Sequence, residues 1–518
     1  MKTRFWRVLF SLGFGLALSL TLLSVLITQI SALSPAGELR VCPAGPPACD
    51  HASLQAAVDA AASGDVIKVA TGVYNDMHSR PVPPGYGGPA TISQLVYISK
   101  TVTIQGGYTT GNWAMSNPAA NPTTLDAGGQ GRVVVIAGAI APTLQGLRIT
   151  TGNATGLGGG IWGAAHNAGG GIYIVTATAT IRDCAIFSNT AATSGTGGGG
   201  GLYLLASPSM LTHNLIYSNT ASMDDWGEGG GLSISQSRAT LEGNTIEDNA
   251  GNSQGAGIGG GLYIEGGYPW SVGPSASFHN NIFLRNTASA RRRGDGGGIY
   301  IGQADRSVFV NTVVIDNING ASADSRGAGI AVEVSAPQFY HTTLARNTGG
   351  DGSGMMLFFE SDVRQVNAII TEHQVGITVS VDSQVRVEGV LWHENGHGNI
   401  GGTGAHTVTR AVVGAPAFAA DGFHLNDSSR AIDAALSKGV TDDIDGQVRP
   451  YPRYPQDNVP DLGADEWYPT STSTATPTRT PTATRTPTPT LTGAPTRTPT
   501  STATSGATLY LPLLVKKR

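Results

Sequence analysis

From Ser53 to about His424 the apolar positions fall in short runs of roughly three to five residues, in which apolar and polar side chains alternate. That alternation is the period of a half-buried strand, and the runs are too short for helices. They recur on a beat. Gly169-Gly170-Gly171-Ile172-Tyr173-Ile174 returns as Gly199-Gly200-Gly201-Leu202-Tyr203-Leu204, as Gly229-Gly230-Gly231-Leu232-Ser233-Ile234, as Gly259-Gly260-Gly261-Leu262-Tyr263-Ile264 and as Gly296-Gly297-Gly298-Ile299-Tyr300-Ile301. A second mark keeps the same time, ending each time in asparagine: Asn189, Asn219, Asn249, Asn286, Asn317 and Asn347. A third short apolar piece, such as Ala179-Thr180-Ile181, lies between the two marks.

A unit of about 30 residues with three such strands cannot bury its inward side chains alone, so successive units must stack and share one core. The pattern predicts an all-β chain: a single parallel β-helix of roughly a dozen coils, on the order of 60 Å of stack at the parallel strand spacing. Glycine supplies the turn conformations and close backbone approach at the corners. The asparagines are expected to form a structural ladder, each amide bonding the coil above or below. The stretches before the glycine marks, Ala221 to Glu228 and Ala288 to Asp295, are expected to protrude from one edge.

Residues 37–110 read as an N-terminal cap and first coils, 111–425 as the repeats and 426–468 as a terminal cap. Leu54 to Ala61 has helical spacing and predicts a short capping helix. The first 36 residues read as a signal peptide or uncleaved anchor: Lys2, Arg4 and Arg7 precede the uncharged apolar stretch Val8–Ile30, and small residues follow. The body is therefore expected to be secreted or at the cell surface. Residues 469–506 are nearly all Thr, Pro, Ser and Ala with a few Arg, a composition that stays a disordered stalk. The tail 507–518 is apolar and then basic, too short to span a bilayer; it reads as an address for other machinery or as a stray peptide. Cys42 and Cys49 bracket a Pro/Gly loop and are a disulfide candidate, whereas Cys184 reads as a buried small hydrophobe.

Composition sharpens this picture. Glycine is 72 of 518 residues and charged residues only 13%, as a repeat array with a small polar surface would have. A net charge of −5 offers no basic patch for nucleic acid.

The opening segment, Ser53-Leu54-Gln55-Ala56-Ala57-Val58 with Gly64-Asp65-Val66-Ile67-Lys68-Val69, resembles the first coil of right-handed parallel β-helix proteins of the pectate-lyase-like superfamily. The glycine and asparagine beat is similar to the polymorphic outer-membrane-protein repeat. Thr441-Asp442-Asp443-Ile444-Asp445-Gly446 with Pro460-Asp461-Leu462-Gly463-Ala464-Asp465-Glu466 resembles the C-terminal module of bacterial β-helix surface proteins with a choice-of-anchor domain, and the stalk with its tail resembles secreted proteins of filamentous green non-sulfur bacteria. The resemblance implies a right-handed coil, as parallel crossovers generally have, and leaves activity open, because lyases, hydrolases and binders share the fold.

No catalytic set is complete. A uronate lyase would need carboxylates gathered on calcium with a basic residue beside them, and the core strands offer almost none. Gly396-His397-Gly398 and the pair Asp224-Asp225 lie several coils apart and cannot meet around one glycosidic bond. His393, Glu394 and His397 have zinc-protease spacing but sit in a glycine-rich loop. Asp442, Asp443, Asp445, Asp461, Asp465 and Glu466 could supply oxygen ligands to calcium, the one cofactor the sequence suggests, or could cap their own turns. Tyr173, Tyr203, Tyr263 and Tyr300 form either a packing ladder or a sugar-stacking strip. The remaining loop residues divide between Asp224, Asp225, Trp226 and Glu228, the pair Tyr268 and Trp270, and Arg291, Arg292, Arg293 and Asp295. Exposed aromatics beside charges suit carbohydrate. The sequence thus points to a monomeric, non-catalytic binder of an extracellular glycan or envelope component, with membrane contact only through its terminal segments. The alternatives are a carbohydrate-active enzyme with a divergent site and a structural envelope component.

Overall fold

A computed structural model describes residues 36–266, 276–303, 305–451 and 458–469, all within one compact unit. The segments read as signal or anchor, stalk and tail fall outside these residues, as do Tyr268 and Trp270.

Register follows the repeat. Ile172 pairs with Leu202, Leu202 with Leu232, Leu232 with Leu262 and Leu262 with Ile299, all in parallel strands. All five side chains are fully buried. Among the described residues these strands belong to a 12-stranded sheet, and the other core strands form a 20-stranded sheet facing it. In one coil, Leu202–Leu205 lies in the first sheet, and Met210–Thr212 and Leu215–Tyr217 lie in the second. Ala206, His213 and Ser218 make the bends between them with positive φ. The core interdigitates by columns, as in the stack of Phe278, Phe309 and Phe339, with ring centroids 4.3 and 4.7 Å apart. Beyond Val308 the two short strands of the second sheet merge into single long ones, such as Asp362–Thr371 and Gln384–His393.

The triple glycine has two separate causes. Gly229 holds φ at 68°, which a side chain disfavours. Gly230 has ordinary φ, but a Cβ there would lie 2.3 Å from the Ala250 carbonyl oxygen of the next coil.

The stretches expected to protrude do not. Thr220–Ser222 and Trp226–Glu228 are strands, paired coil to coil in small four- and six-stranded ladders that form a ridge along the solenoid. Small residues such as Gly197, Gly198, Gly227 and Gly257 let these backbones close up and pair. The hairpin Gly159–Gly160 and Gly163–Ala168 begins the six-stranded ladder, its second strand pairing with Gly197 and Gly198, and Trp162 stands at its turn.

At the front, the helix Leu54–Ala60 is capped by Ser53, whose Oγ accepts the Ala56 N–H, and it buries Leu54, Ala57 and Val58. Cys42 and Cys49 are disulfide-bonded. Their loop covers the edge of the first strand, because the Asp50 and His51 N–H groups donate to the Arg40 carbonyl.

The C-terminal segment sits elsewhere than a terminal cap would. It folds back along the outer face of the 20-stranded sheet, where Ile444 and Ala464 cover Val313, Ile315 and Ala345. Leu425, Ala431, Ala435 and Leu462 cover Ile369 and Leu391. That outer face is apolar in these coils and must be hidden, which is the physical reason for the placement. The last strand, Ala405–Val413, is left almost wholly exposed.

Candidate functional site

The tyrosines of the glycine-marked strands stand on the outer face of the 12-stranded sheet, beneath the ridge. Tyr173 stacks on Tyr203 at 6.1 Å, and Tyr263 on Tyr300 at 5.6 Å. Between the pairs the same column carries Ser233, in register with Tyr203 on one side and Tyr263 on the other. All four rings are buried.

Glu228 lies over this interruption. In the ridge it shares a column with Gly198 and Ile258. Its Oε1 accepts two indole N–H groups, from Trp162 at 3.2 Å and Trp226 at 3.1 Å. Its Oε2 is 3.5 Å from Nε2 of His166. The His166 ring stands edge-on to Tyr203 at 5.9 Å, in a slot where a Cβ on Gly160 or Gly198 would collide with it. One rung on, Glu265 Oε2 accepts the Tyr263 hydroxyl at 2.9 Å. Trp162 is 54% exposed and Trp226 half-buried, so two indoles form a surface above buried acids.

Burial sets the protonation of this group. It raises Glu228 to about 8, with the neighbouring Glu265 adding and the two indole donors opposing. It raises Glu265 to about 7 against the Tyr263 hydroxyl bond, and lowers His166 to about 4. At neutral pH His166 is uncharged and Glu228 largely protonated, so the site carries little net charge.

Of the other predicted loop residues, Asp224 and Asp225 are exposed but bond back to the preceding coil. Asp224 accepts the Gly195 N–H at 2.8 Å and Asp225 the Thr196 hydroxyl at 3.1 Å. Trp162, His166 and Glu265 were not singled out in the sequence. Trp162 meets Glu228 across 66 residues, and only the replacement of a ladder tyrosine by Ser233 marked the place.

The asparagine row is continuous. Nδ2 of Asn189, Asn219, Asn249, Asn286 and Asn317 each donates to Oδ1 of the next member at 2.9–3.0 Å, ending on Asn347. His373 continues it, within 3.2 Å of Asn347 Nδ2. A second row, Asn214, Asn244 and Asn281, runs at the bend within the larger sheet. Its spacing matches the first row and could have been read from the sequence.

The acidic residues near the C-terminus disperse among backbone partners. Asp443 accepts the Asp445, Gln447 and Glu466 N–H groups. Asp461 accepts those of Asp433 and Trp467, while Asp442 pairs with His279 at 2.9 Å. Glu466 lies 3.3 Å from the buried Arg449 guanidinium. The carboxylates of Asp445 and Asp465 gather instead around His424, the one group of described residues with metal-site spacing. There the imidazole faces Asp445 at 2.8 Å and Asp421 at 2.5 Å. Burial opposes its charge, but these carboxylates raise it to about 10, so His424 itself supplies the positive charge.

A cleft of about 430 Å³ opens further along, where the ridge recedes, lined by residues including Asn347, Glu372, His373, Gln374, Glu394 and His397. His393 faces Glu394 at 3.4 Å, in an open loop.

With this geometry in view, residues 163–291 match the family model described as right handed beta helix region. With the ladders continuous on either side, the body is a right-handed parallel β-helix. Among solved structures, the chain is similar to pectate lyase Pel9A at 12% identity, covering 84% of this chain and 98% of that one, with a TM-score of 0.36. It is similar to the A-module of the Azotobacter vinelandii mannuronan C-5 epimerase AlgE4 at 12% identity, covering 73% and 90%, with a TM-score of 0.25. It is also similar to PfbA, a surface adhesin of Streptococcus pneumoniae, at 8% identity, covering 68% and 81%, with a TM-score of 0.17. Scores of this size carry no argument about activity. No curated protein matches the chain. Among the described residues no helix is long and apolar enough to cross a membrane.

Proposed function

We propose that this is a secreted or cell-surface β-helix that binds an extracellular glycan without cleaving it, through the ridge that carries Trp162 and Trp226. One observation supports this above the rest: two indoles from different coils, one of them exposed, converge on a single carboxyl. Aromatic faces held rigidly beside hydrogen-bonding groups are what sugar rings stack on. The protein acts as a monomer, needs no nucleic acid, and meets the membrane only through its terminal segments. The test is a glycan array probed with the mature chain and with Trp162→Ala and Trp226→Ala. Binding that survives both substitutions would remove the reading.

The second reading, a carbohydrate-active enzyme, is favoured by the cleft, which Glu372, Glu394 and His397 all line. Polysaccharide cleavage lost in Glu372→Gln and Glu394→Gln, with Trp162→Ala still active, would replace the first reading with this one.

A further inference from the structure

Trp162 reaches the ridge from a hairpin two ladder steps away: Gly163–Ala168 pairs with Gly197–Gly198, and that strand with Trp226–Glu228. The polar link across this interval is the Trp162 indole N–H on Glu228 Oε1, and the same oxygen takes the Trp226 indole N–H. One buried oxygen therefore sets the pose of both rings, and Trp162 is more than half exposed. How firmly it holds them depends on the proton of the carboxyl. A hydrogen bond to a charged oxygen is roughly twice as strong as one to a neutral oxygen.

The other carboxyl oxygen has one place for that proton. Oε2 faces His166 Nε2 at 3.5 Å, and neither atom bonds to anything else. A Cβ on Gly160 would lie 2.3 Å from the His166 ring and one on Gly198 2.7 Å from Nε2, so the imidazole is wedged against the acid. Two groups packed this way need no third molecule. The proton is on Oε2 when the carboxyl is neutral and on Nε2 when it is ionised, and in each case it points at the partner. Asp225, just before the strand, turns away to the Thr196 hydroxyl. The other titratable groups that share the field of Glu228 are Glu265, Tyr203 and Tyr263 of the 12-stranded sheet, and no lysine or arginine is among the groups that shift it. Glu265 gives up its own proton first, at about 7, while burial keeps both phenols neutral throughout.

We propose that Glu228 is the positioning residue of the indole pair, and that glycan binding on the ridge tightens when its carboxyl loses the proton. This rests on the glycan-binding reading and names how that same site is regulated. Below the transition the neutral acid holds the two N–H groups weakly, and the exposed Trp162 ring keeps part of its freedom. Above it the carboxylate fixes both rings, so a sugar that stacks on them has less ordering left to impose. The close packing around His166 is what confines the change to this one proton.

The test follows indole emission of the mature chain from about pH 6 to about 9.5, alone and with the neutral oligosaccharides bound on the array, cellotetraose, mannotetraose and xylotetraose first among them. The wild type is expected to show an emission step centred at about 8, and to bind roughly three- to tenfold more tightly above the step than below it. Glu228→Gln keeps the shape of the side chain but cannot titrate, so it is expected to lose both the step and the pH dependence of binding. Trp162→Phe is the second variant. It keeps a ring and removes one of the two donors that oppose the raised pKa, so the step, now reported by Trp226, is expected to move to higher pH. If the step persists in Glu228→Gln, or affinity is the same on both sides of it, the switch is overturned while glycan binding on the ridge stands. If no glycan on the array binds the wild type at either pH, the underlying reading falls as well.

Discussion

Asn249 shows how much one side chain carries. Its Oδ1 accepts both the backbone and the side-chain N–H of Asn219, and its Nδ2 donates to the Ile216 carbonyl and to Asn286. Truncation removes four buried hydrogen bonds, each worth roughly 0.5–1.5 kcal/mol, though the losses are not additive and Asn219 Nδ2 keeps the Ile186 carbonyl while Asn286 Oδ1 keeps the backbone N–H of residue 249. Asn249→Ala is therefore expected to destabilise by about 3–5 kcal/mol in urea unfolding, near the top of the usual range for point changes. His424 gives the residue scale its pH dependence. Its pKa is raised on folding, from an ordinary 6.5 to about 10, so its contribution is whole below 6.5 and disappears as pH climbs through 10. Melting temperature should fall across that window, and His424→Gln should flatten the decline. Because an imidazolium already stands between Asp445 and Asp465, where a cation would sit, millimolar calcium is expected to leave the melting temperature unchanged; a rise would show that the acidic group holds an ion after all.

At the scale of elements, the strands and their beat could be read in advance because each repeat writes the same inward column: Ile172, Leu202, Leu232, Leu262 and Ile299. The ridge strands were less legible, since Trp226-Gly227-Glu228 has no alternation to reveal it and pairs only because neighbouring coils are glycine-rich. Close approach there has a cost if it is violated. Gly230→Ala puts a methyl 2.3 Å from one backbone oxygen and 2.5 Å from another, and should destabilise by about 1–3 kcal/mol or more, as overpacking does. The covering segment was legible as a unit but not by destination. Nothing in Ile444 or Leu462 says which surface it lies on; that was fixed by the apolar outer residues of distant strands. A chain ending after Val413 is expected to bind a hydrophobic dye, because Val313, Ile315 and Ile369 lose their cover. Absence of dye binding would mean that the segment is dispensable for burying that face.

For the molecule as a whole, sequence periodicity determined the architecture and said little about the site. Periodicity reports neighbours one coil apart, whereas Trp162, His166 and Glu228 come together over coils that are not adjacent in any repeat. The two ends also differ. The front edge is covered by the disulfide loop and the helix, while the final strand shows Val413 at 76% exposure.

The constant register has one more result. Residue 201 stands to 202 as 231 stands to 232, so cutting out Leu202 through Gly231 rejoins the chain at an equivalent point. Asn189 would then meet Asn249 as it now meets Asn219, and every column would close over the cut. Length in such a protein is quantised: whole turns can be gained or lost by copying or deletion, while a change of a few residues in a core strand throws all later columns out of step.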